Sequence, residues 1–310
     1  MTLAATADAP RTHIRAAEAE TTPPIGRLYD VGGRRLALDR GGSGGPSVVF
    51  LPGAGLIGLD FLNIHEAIAR VTTSVIYDRG GTGWSQATRL PRSAADVARE
   101  LRALLQAAGV PAPYILVGHS LGGAYIRRFA QLFAGDVAGL LFLDPAHEGY
   151  ASMPGMSFAG QLRMGLKALP ALLDGRRFYG PLFSRMYAGW PDATRELLLD
   201  YHLRNWRSTL HETANLRREV LPEIAAGGAA TEQPTIVLTA MGIDPFQAAF
   251  MDAAYLRRLN EVKAVFYSEF AARAPRGKNR LVQNAGHSTL HTDRPDAVIE
   301  AIRDLIVETA

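Results

Sequence analysis

Residues Tyr114 to Tyr125 read Y-I-L-V-G-H-S-L-G-G-A-Y, and the fold turns on how this stretch is read. The apolar residues Tyr114 to Val117 predict a short buried strand, and Ala124 to Phe133 predict a helix. Between them stand Gly118-His119-Ser120-Leu121-Gly122. A serine at a sharp strand-to-helix turn needs small residues two positions before and two after it, because a side chain there would meet the facing strand or helix. Gly118 and Gly122 supply them. Such a turn lifts the Ser120 hydroxyl into the open and aims the N-terminus of the next helix at it, which favours negative charge developing there. Glycine-rich turns without chemistry are common. The setting between an apolar strand and a good helix is what makes Ser120 the candidate nucleophile.

Outward from this stretch, strands and helices alternate. On the N-terminal side, Arg27 to Val31 and Arg35 to Asp39 flank Gly32-Gly33 as a hairpin. Ser47 to Leu51 is a buried strand ended by Pro52-Gly53-Ala54-Gly55, with a helix expected over Phe61 to Arg70. The strand Ser74 to Tyr77 leads into the glycine-rich Asp78 to Ser85. Ser93 is an N-cap for a helix to Ala108 that carries Val97, Leu101, Leu104 and Leu105 on one face. On the C-terminal side, the strand Val137 to Leu143 ends in Asp144-Pro145. From Gly149 to Gly228 only helical patterns occur, such as Gln161 to Leu173 and Ala193 to Leu221. After a Gly/Ala linker at Ala225 to Ala230 come the strand Thr235 to Met241, a helix over Ala253 to Ala272, a strand at Arg280 to Gln283 and a helix from Pro295 to Glu308. The fold class is therefore α/β, a mostly parallel sheet flanked by helices with an inserted helical lid. The expected division is a disordered lead-in over 1–24, a core over 25–148 and 229–310, and the lid over 149–228.

Composition narrows the function classes. A chain of 310 residues with 47% hydrophobic and 20% charged residues is ordinary globular material with room for a sizeable core. A net charge of +3 is too small to argue for nucleic acid. Cysteine is absent, which excludes disulfides, thiolate metal sites and a cysteine nucleophile. No apolar run reaches the roughly 20 residues of a membrane helix, and Met1 to Pro24 lacks the basic start and apolar centre of a signal peptide. The expectation is a cytoplasmic protein with neither membrane nor nucleic acid as partner. There is no G-K-[ST], no G-x-G-x-x-G opening a helix and no H-E-x-x-H, so neither a nucleotide cofactor nor a metal is expected.

A serine hydroxyl near neutral pH needs a base, and the base needs a carboxylate to orient it and stabilise its charged form. The base is assigned to His287, in Asn284-Ala285-Gly286-His287-Ser288, just past the last strand. His291 lies toward the last helix, and His119, His147, His202 and His211 are read as structural or pocket-lining. The acid is assigned to Asp244, which follows the strand Thr235 to Met241, since carboxylates at strand C-termini sit where such sheets place their sites. Asp144 ends the preceding strand in the same manner and is the rival; Asp252 is a third candidate. An oxyanion hole needs two backbone N–H groups. These are assigned to Leu121, directly after the serine, and Ala54, in the loop after Leu51.

With these residues in place, the chain resembles the serine hydrolases of the α/β-hydrolase family. The resemblance rests on Leu51-Pro52-Gly53, Tyr77-Asp78-Arg79-Gly80-Gly81-Thr82-Gly83-Trp84-Ser85, Gly118 to Gly123 and Gly286-His287, and covers the chain from Arg27 onward except the lid. Pro52 stands where the family's oxyanion loop usually has histidine, and the acid is one residue off the commonest spacing. The resemblance implies a serine, acid, histidine order along the chain and ester hydrolysis through an acyl-enzyme without a cofactor, on a small-molecule ester. The alternatives are C–C bond hydrolysis or acyl transfer by the same triad, or ligand binding by a weakly catalytic receptor. Family members that are dehalogenases and epoxide hydrolases use an aspartate nucleophile, which Ser120 argues against. Between Tyr150 and Ala230 there are ten basic residues against seven acidic ones. A solvated helical surface explains them. The sharper reading is that lid arginines meet an anionic group on the substrate, as in monoalkyl phthalates. Met153, Met156, Met164, Phe158, Phe178, Phe183 and Trp190 are candidate walls of an apolar pocket.

Overall fold

In the computed structural model the described residues are 22–153, 155–228, 232–274 and 276–309. Residues 1–21 of the expected lead-in, and Ala229 and Ala230 of the expected linker, lie outside them. Eight strands form one sheet: β1 (Arg27–Val31), β2 (Arg34–Gly41), β3 (Ser47–Leu51), β4 (Ser74–Tyr77), β5 (Tyr114–His119), β6 (Val137–Leu143), β7 (Thr235–Ala240) and β8 (Lys278–Val282). Their order is β1-β2-β4-β3-β5-β6-β7-β8. The β1–β2 and β2–β4 pairs are antiparallel and every later pair is parallel. The C-terminal ends of β3, β5, β6, β7 and β8 therefore share one edge, where sheets of this kind collect their functional loops.

Strands buried on both faces read as continuous apolar runs, and β3 (Ser-Val-Val-Phe-Leu) is buried at all five positions. The helices that cover the sheet are α1 (Leu62–Ala69), α2 (Ala94–Ala107), α3 (Leu121–Leu132), α10 (Ala253–Ala272) and α12 (Pro295–Thr309). Val49, Leu51, Val75 and Leu116 pack against α2, α3 and α10, while Val48, Phe50, Ile76 and Val117 pack against α1 and α12. The Ser93 side chain accepts from the Asp96 N–H at 3.1 Å, as a helix cap should.

Between β6 and β7 the described residues form no strand. They hold α4 (Phe158–Leu173), α5 (Gly175–Met186), α6 (Asp192–Arg204), α7 (Ser208–Thr213) and α8 (Leu221–Ala226). The single helical pattern read over Ala193 to Leu221 is broken at Asn205 and again by a π-helical turn at Leu216–Val220. Tertiary pairing overrides local periodicity here. The break brings Trp206 onto α5, where it lies so close that a β-carbon on Gly175 would sit 2.4 Å from the indole, and it carries Glu212 back to the loop after β3. A separate apolar cluster of Leu56, Ile57, Leu59, Met186, Tyr187 and Leu198 ties this segment to that loop. The short helices α9 (Pro245–Ala248) and α11 (Leu290–Asp293) follow β7 and β8.

Candidate active site

The turn at Ser120 is as tight as its glycines require. A β-carbon on Gly118 would sit 2.6 Å from the Gly122 carbonyl oxygen, and one on Gly122 would sit 2.0 Å from that of Leu51. Ser120 holds φ 48° and ψ −116°, a conformation that costs a non-glycine residue roughly 1–3 kcal/mol. Backbone bonds hold it there. The Ser120 N–H donates to the Leu143 carbonyl at 3.1 Å, and its own carbonyl accepts from Gly123 and Ala146 at 2.9 and 2.8 Å. Helix α3 begins immediately at Leu121, three residues earlier than its apolar pattern suggests, so the helix N-terminus faces the hydroxyl.

His287, in the loop after β8, brings Nε2 to 3.0 Å from the Ser120 hydroxyl oxygen. Its Nδ1 lies 2.5 Å from the Asp144 carboxylate. With the Nδ1 proton directed at that carboxylate, Nε2 is left to accept from Ser120. The acid that meets His287 is thus Asp144, and the assignment to Asp244 is corrected. Asp244 lies at the same sheet edge but is occupied as a cap. One of its oxygens accepts from the Gln247 N–H at 2.7 Å, at the start of α9, and the other from the Ser288 N–H at 2.5 Å. It steadies the loop that carries His287 without touching the ring. Asp252 is exposed and lies 3.6 and 3.5 Å from Arg163 and Lys167.

Asp144 is fully buried and adopts a left-handed φ of 43°. It also accepts from the Ala240 N–H at 3.0 Å and from Lys263 Nζ at 2.8 and 3.0 Å, Lys263 itself being 6% exposed. Burial alone would raise the Asp144 carboxyl, but the Lys263 charge and the His287 bond outweigh it and hold it well below the usual carboxylate range. Sequence reasoning missed Lys263. The available signal was its place in α10, where Leu256, Asn260, Lys263, Tyr267 and Phe270 recur at core spacing. A lysine on a buried stripe calls for a buried carboxylate.

Two neutral histidines back the site. His119 donates from Nε2 to the His287 carbonyl at 2.8 Å, and burial, with His287 and His291 beside it, pushes it well below the ordinary imidazole value. His291 is stacked on Phe61 and pushed down to about 4 by burial. On the other side of Ser120, the loop Pro52-Gly53-Ala54-Gly55 is clamped by Arg79. This guanidinium donates to the Pro52 and Gly53 carbonyls at 2.6 and 2.9 Å and pairs with Glu212, both partners being buried. Glu212, from α7, also accepts from the Gly55 N–H at 2.7 Å. Its role could be read only from the fold, since Arg79 and Glu212 lie 133 residues apart.

Above Ser120 opens a cavity of about 420 Å³. Ala54, Leu121, His287 and Ser120 form its floor; Tyr179, Phe183, Met186 and Trp206 from the inserted helices and Phe246 and Phe250 from the segment after β7 form its walls. No carboxylate, lysine or arginine is among its lining residues. Of the aromatic and methionine residues expected to line a pocket, Phe183 does so. Trp190 packs into the apolar cluster at the insert's base, Phe178 lies tilted against Phe250 with ring centroids 5.4 Å apart, and Phe158 projects into solvent. Among the described residues no group of three or more His, Asp or Glu is arranged to hold a metal ion.

Comparison with known proteins agrees with this architecture. The family described as "Alpha/beta hydrolase family" matches residues 48–301. The "Probable transporter efuK" of Hormonema carpetanum is 33% identical over 144 residues, 44% of this chain and 21% of that protein. The "Uncharacterized protein YqjL" of Bacillus subtilis is 36% identical over 107 residues, 34% of this chain and 42% of that protein. The match thus spans less than half the length of either relative. A solved thermophilic esterase from Thermogutta terrifontis shares the fold, with a TM-score of 0.60 at 19% identity over 91% of this chain and 98% of that one. The sheet order, the strained serine turn and the family match over most of the chain lead to one conclusion: this protein belongs to the alpha/beta hydrolase family.

Proposed function

We propose that the protein is a serine hydrolase that cleaves carboxylic esters of neutral, apolar substrates. The observation that carries this reading is the continuous line from Ser120 through His287 to Asp144, at 3.0 and 2.5 Å. The Ser120 oxygen attacks the ester carbonyl while His287 Nε2 takes its proton. The oxyanion that forms is met by the N–H groups of Leu121 and Ala54. His287 then passes the proton to the leaving alcohol, the C–O bond breaks, and the acyl group stays on Ser120. Water, deprotonated by the same imidazole, releases the acid and restores the serine. Asp144 holds the ring and stabilises its protonated form throughout. The inserted helices act as a lid that closes the apolar cavity over the acyl or alkyl chain.

The carboxylate-bearing monoester reading loses its basis in this geometry. None of the ten basic residues of the insert lines the cavity; Arg195 and Arg204, for example, pair with Asp192 and Asp200 along α6. A free carboxylate would be buried there without a partner. The kcat/KM for p-nitrophenyl butyrate is therefore expected to exceed that for mono-p-nitrophenyl succinate, of equal chain length, by roughly a hundredfold. An alkyl fluorophosphonate is expected to esterify Ser120, located by peptide mass spectrometry, with loss of turnover. Turnover that persists with the inhibitor bound elsewhere, or no ester turnover at all, would overturn the serine-hydrolase reading. Equal rates on the two esters would overturn the neutral-substrate part.

The clamp on the oxyanion loop yields a further expectation. Glu212→Gln removes the charge that holds Arg79 and loosens the Ala54 N–H. Because removal of one oxyanion donor costs about 10²–10³ in kcat, a misplaced one is expected to lower kcat about ten- to a hundredfold with a smaller change in KM. Steady-state kinetics on p-nitrophenyl butyrate check this, and a change confined to KM would place Glu212 outside the catalytic geometry.

A further inference from the structure

Helix α4 is inside out. Phe158, Leu162, Leu166, Leu169 and Leu173 recur at spacings of four, four, three and four residues, which gathers them into one stripe, with Leu172 beside it. Each of these six side chains is between 50% and 88% exposed. Gly160, Met164, Ala168 and Ala171 follow the same rhythm two residues out of phase, on the opposite face of the helix, and these are the buried or half-buried positions. Apart from Met164, small residues face the protein, and the large apolar ones of the stripe face away. Scattered exposed leucines are normal, whereas a contiguous apolar face on a monomer marks a surface that something covers.

Charge says what covers it. From Phe158 to Leu173 there is no acidic residue, and Arg163 and Lys167 flank the stripe, both exposed, with Arg176 and Arg177 exposed just beyond its end. Asp252 is the carboxylate shared by Arg163 and Lys167, at 3.6 and 3.5 Å, and Asp174 caps α5, so the surroundings remain net cationic. A second copy docked through the same face by two-fold symmetry would set these cations against their own kind. A bilayer with anionic headgroups complements them. Its acyl boundary takes up the apolar stripe while the flanking arginine and lysine reach the phosphates. No helix among the described residues is long and apolar enough to cross a membrane, so the contact is one of lying on the surface.

We propose that α4 docks this protein on anionic phospholipid bilayers, with Phe158, Leu162, Leu166, Leu169 and Leu173 entering the interface and Arg163 and Lys167 meeting the headgroups. The helix packs on α5, which carries Tyr179, Phe183 and Met186 into the cavity, so docking sets the apolar cavity beside an apolar phase. The inference stands apart from the hydrolase reading, because it concerns a surface that the reacting atoms do not touch.

The test is sedimentation of the full chain with vesicles of phosphatidylcholine alone and of phosphatidylcholine mixed with phosphatidylglycerol. The protein is expected to partition onto the mixed vesicles, more weakly onto phosphatidylcholine, and less as salt is raised. Leu166→Glu/Leu169→Glu is expected to weaken partition at least tenfold. Arg163→Gln/Lys167→Gln, which leaves the stripe intact, is expected to weaken it several-fold on the mixed vesicles only. Far-ultraviolet circular dichroism and thermal melting, unchanged in both variants, report that they are folded. The proposal is overturned if the protein stays in the supernatant with both vesicle types, or if either variant partitions as the parent does. It is also overturned if equilibrium sedimentation shows a dimer that the leucine substitutions dissociate. Vesicle binding without ester turnover in the parent would remove the hydrolase reading and leave the docking face standing.

Discussion

Asp144→Asn is expected to lower kcat/KM on p-nitrophenyl butyrate by about ten-thousand-fold, while Asp244→Asn stays within about tenfold of the parent protein. Both carboxylates lie at the same edge of the sheet, so the contrast isolates what each one touches. Asparagine at 144 leaves His287 facing an amide that cannot stabilise its charged form and that favours the wrong tautomer. Asparagine at 244 keeps an oxygen for the Gln247 N–H, since asparagine caps helices as well as aspartate does, and gives up only the bond from the Ser288 N–H, which does not touch the imidazole ring. Steady-state kinetics on the two proteins decide the matter. A collapse in Asp244→Asn with activity retained in Asp144→Asn would return the acid to the end of β7.

Lys263→Met is expected to act on both stability and pH dependence. The Lys263–Asp144 pair is buried on both sides, and removing one partner of such a pair costs roughly 3–5 kcal/mol because the other charge is left behind. Chemical denaturation measures this loss. The carboxyl of Asp144, held low in the folded protein, contributes stability that is complete above its unfolded value of about 4 and drains away as pH falls from about 5 toward the lower folded value. The deficit of the variant is therefore largest at neutral pH and narrows in acid. For catalysis the sign runs the other way along the pH axis. Without the lysine charge, Asp144 is easier to protonate, and the carboxylate that orients His287 is lost at a higher pH. Activity then fails at a higher pH on the acid side, by roughly one unit for a charge at this distance. The other groups that face His287 leave this direction unchanged: Ser120, the neutral His119, the buried His291 behind it, and Asp244 through the Ser288 N–H. Lys263→Arg, which restores the charge, is expected to return the acid limb toward its original position. A pH profile identical in Lys263→Met would reduce Lys263 to a packing residue.

Much of the site was legible before the fold was known, for identifiable reasons. Strand β5 announces itself as an apolar run, and Gly118 and Gly122 bracket a serine at the one spacing where a side chain has no room. His287 follows the last strand, at the sheet edge where loops converge. The acid was not legible in the same way. Strands β6 and β7 are parallel neighbours, and each is followed by an Asp-Pro pair, Asp144-Pro145 and Asp244-Pro245. Nothing local separates the two. In the folded chain one turns back through a left-handed backbone toward His287, and the other starts a helix.

The same distinction holds for the insert. The sequence sets the helical period of α4 and places apolar residues on two of its faces, but the period is blind to which face turns inward. Packing chose the face of Gly160, Met164, Ala168 and Ala171, whose small side chains mostly allow close approach, and left the leucines outside. By itself the sequence determined the alternation of strands and helices, the serine turn and the histidine after the last strand, because each is written in contiguous residues and obeys local sterics. Tertiary structure alone decided which carboxylate meets His287 across 143 positions, which lysine meets that carboxylate across 119, and that Glu212 closes on Arg79 across 133. Those pairings depend on strand order and on where the inserted helices fold back, and no local period carries that information.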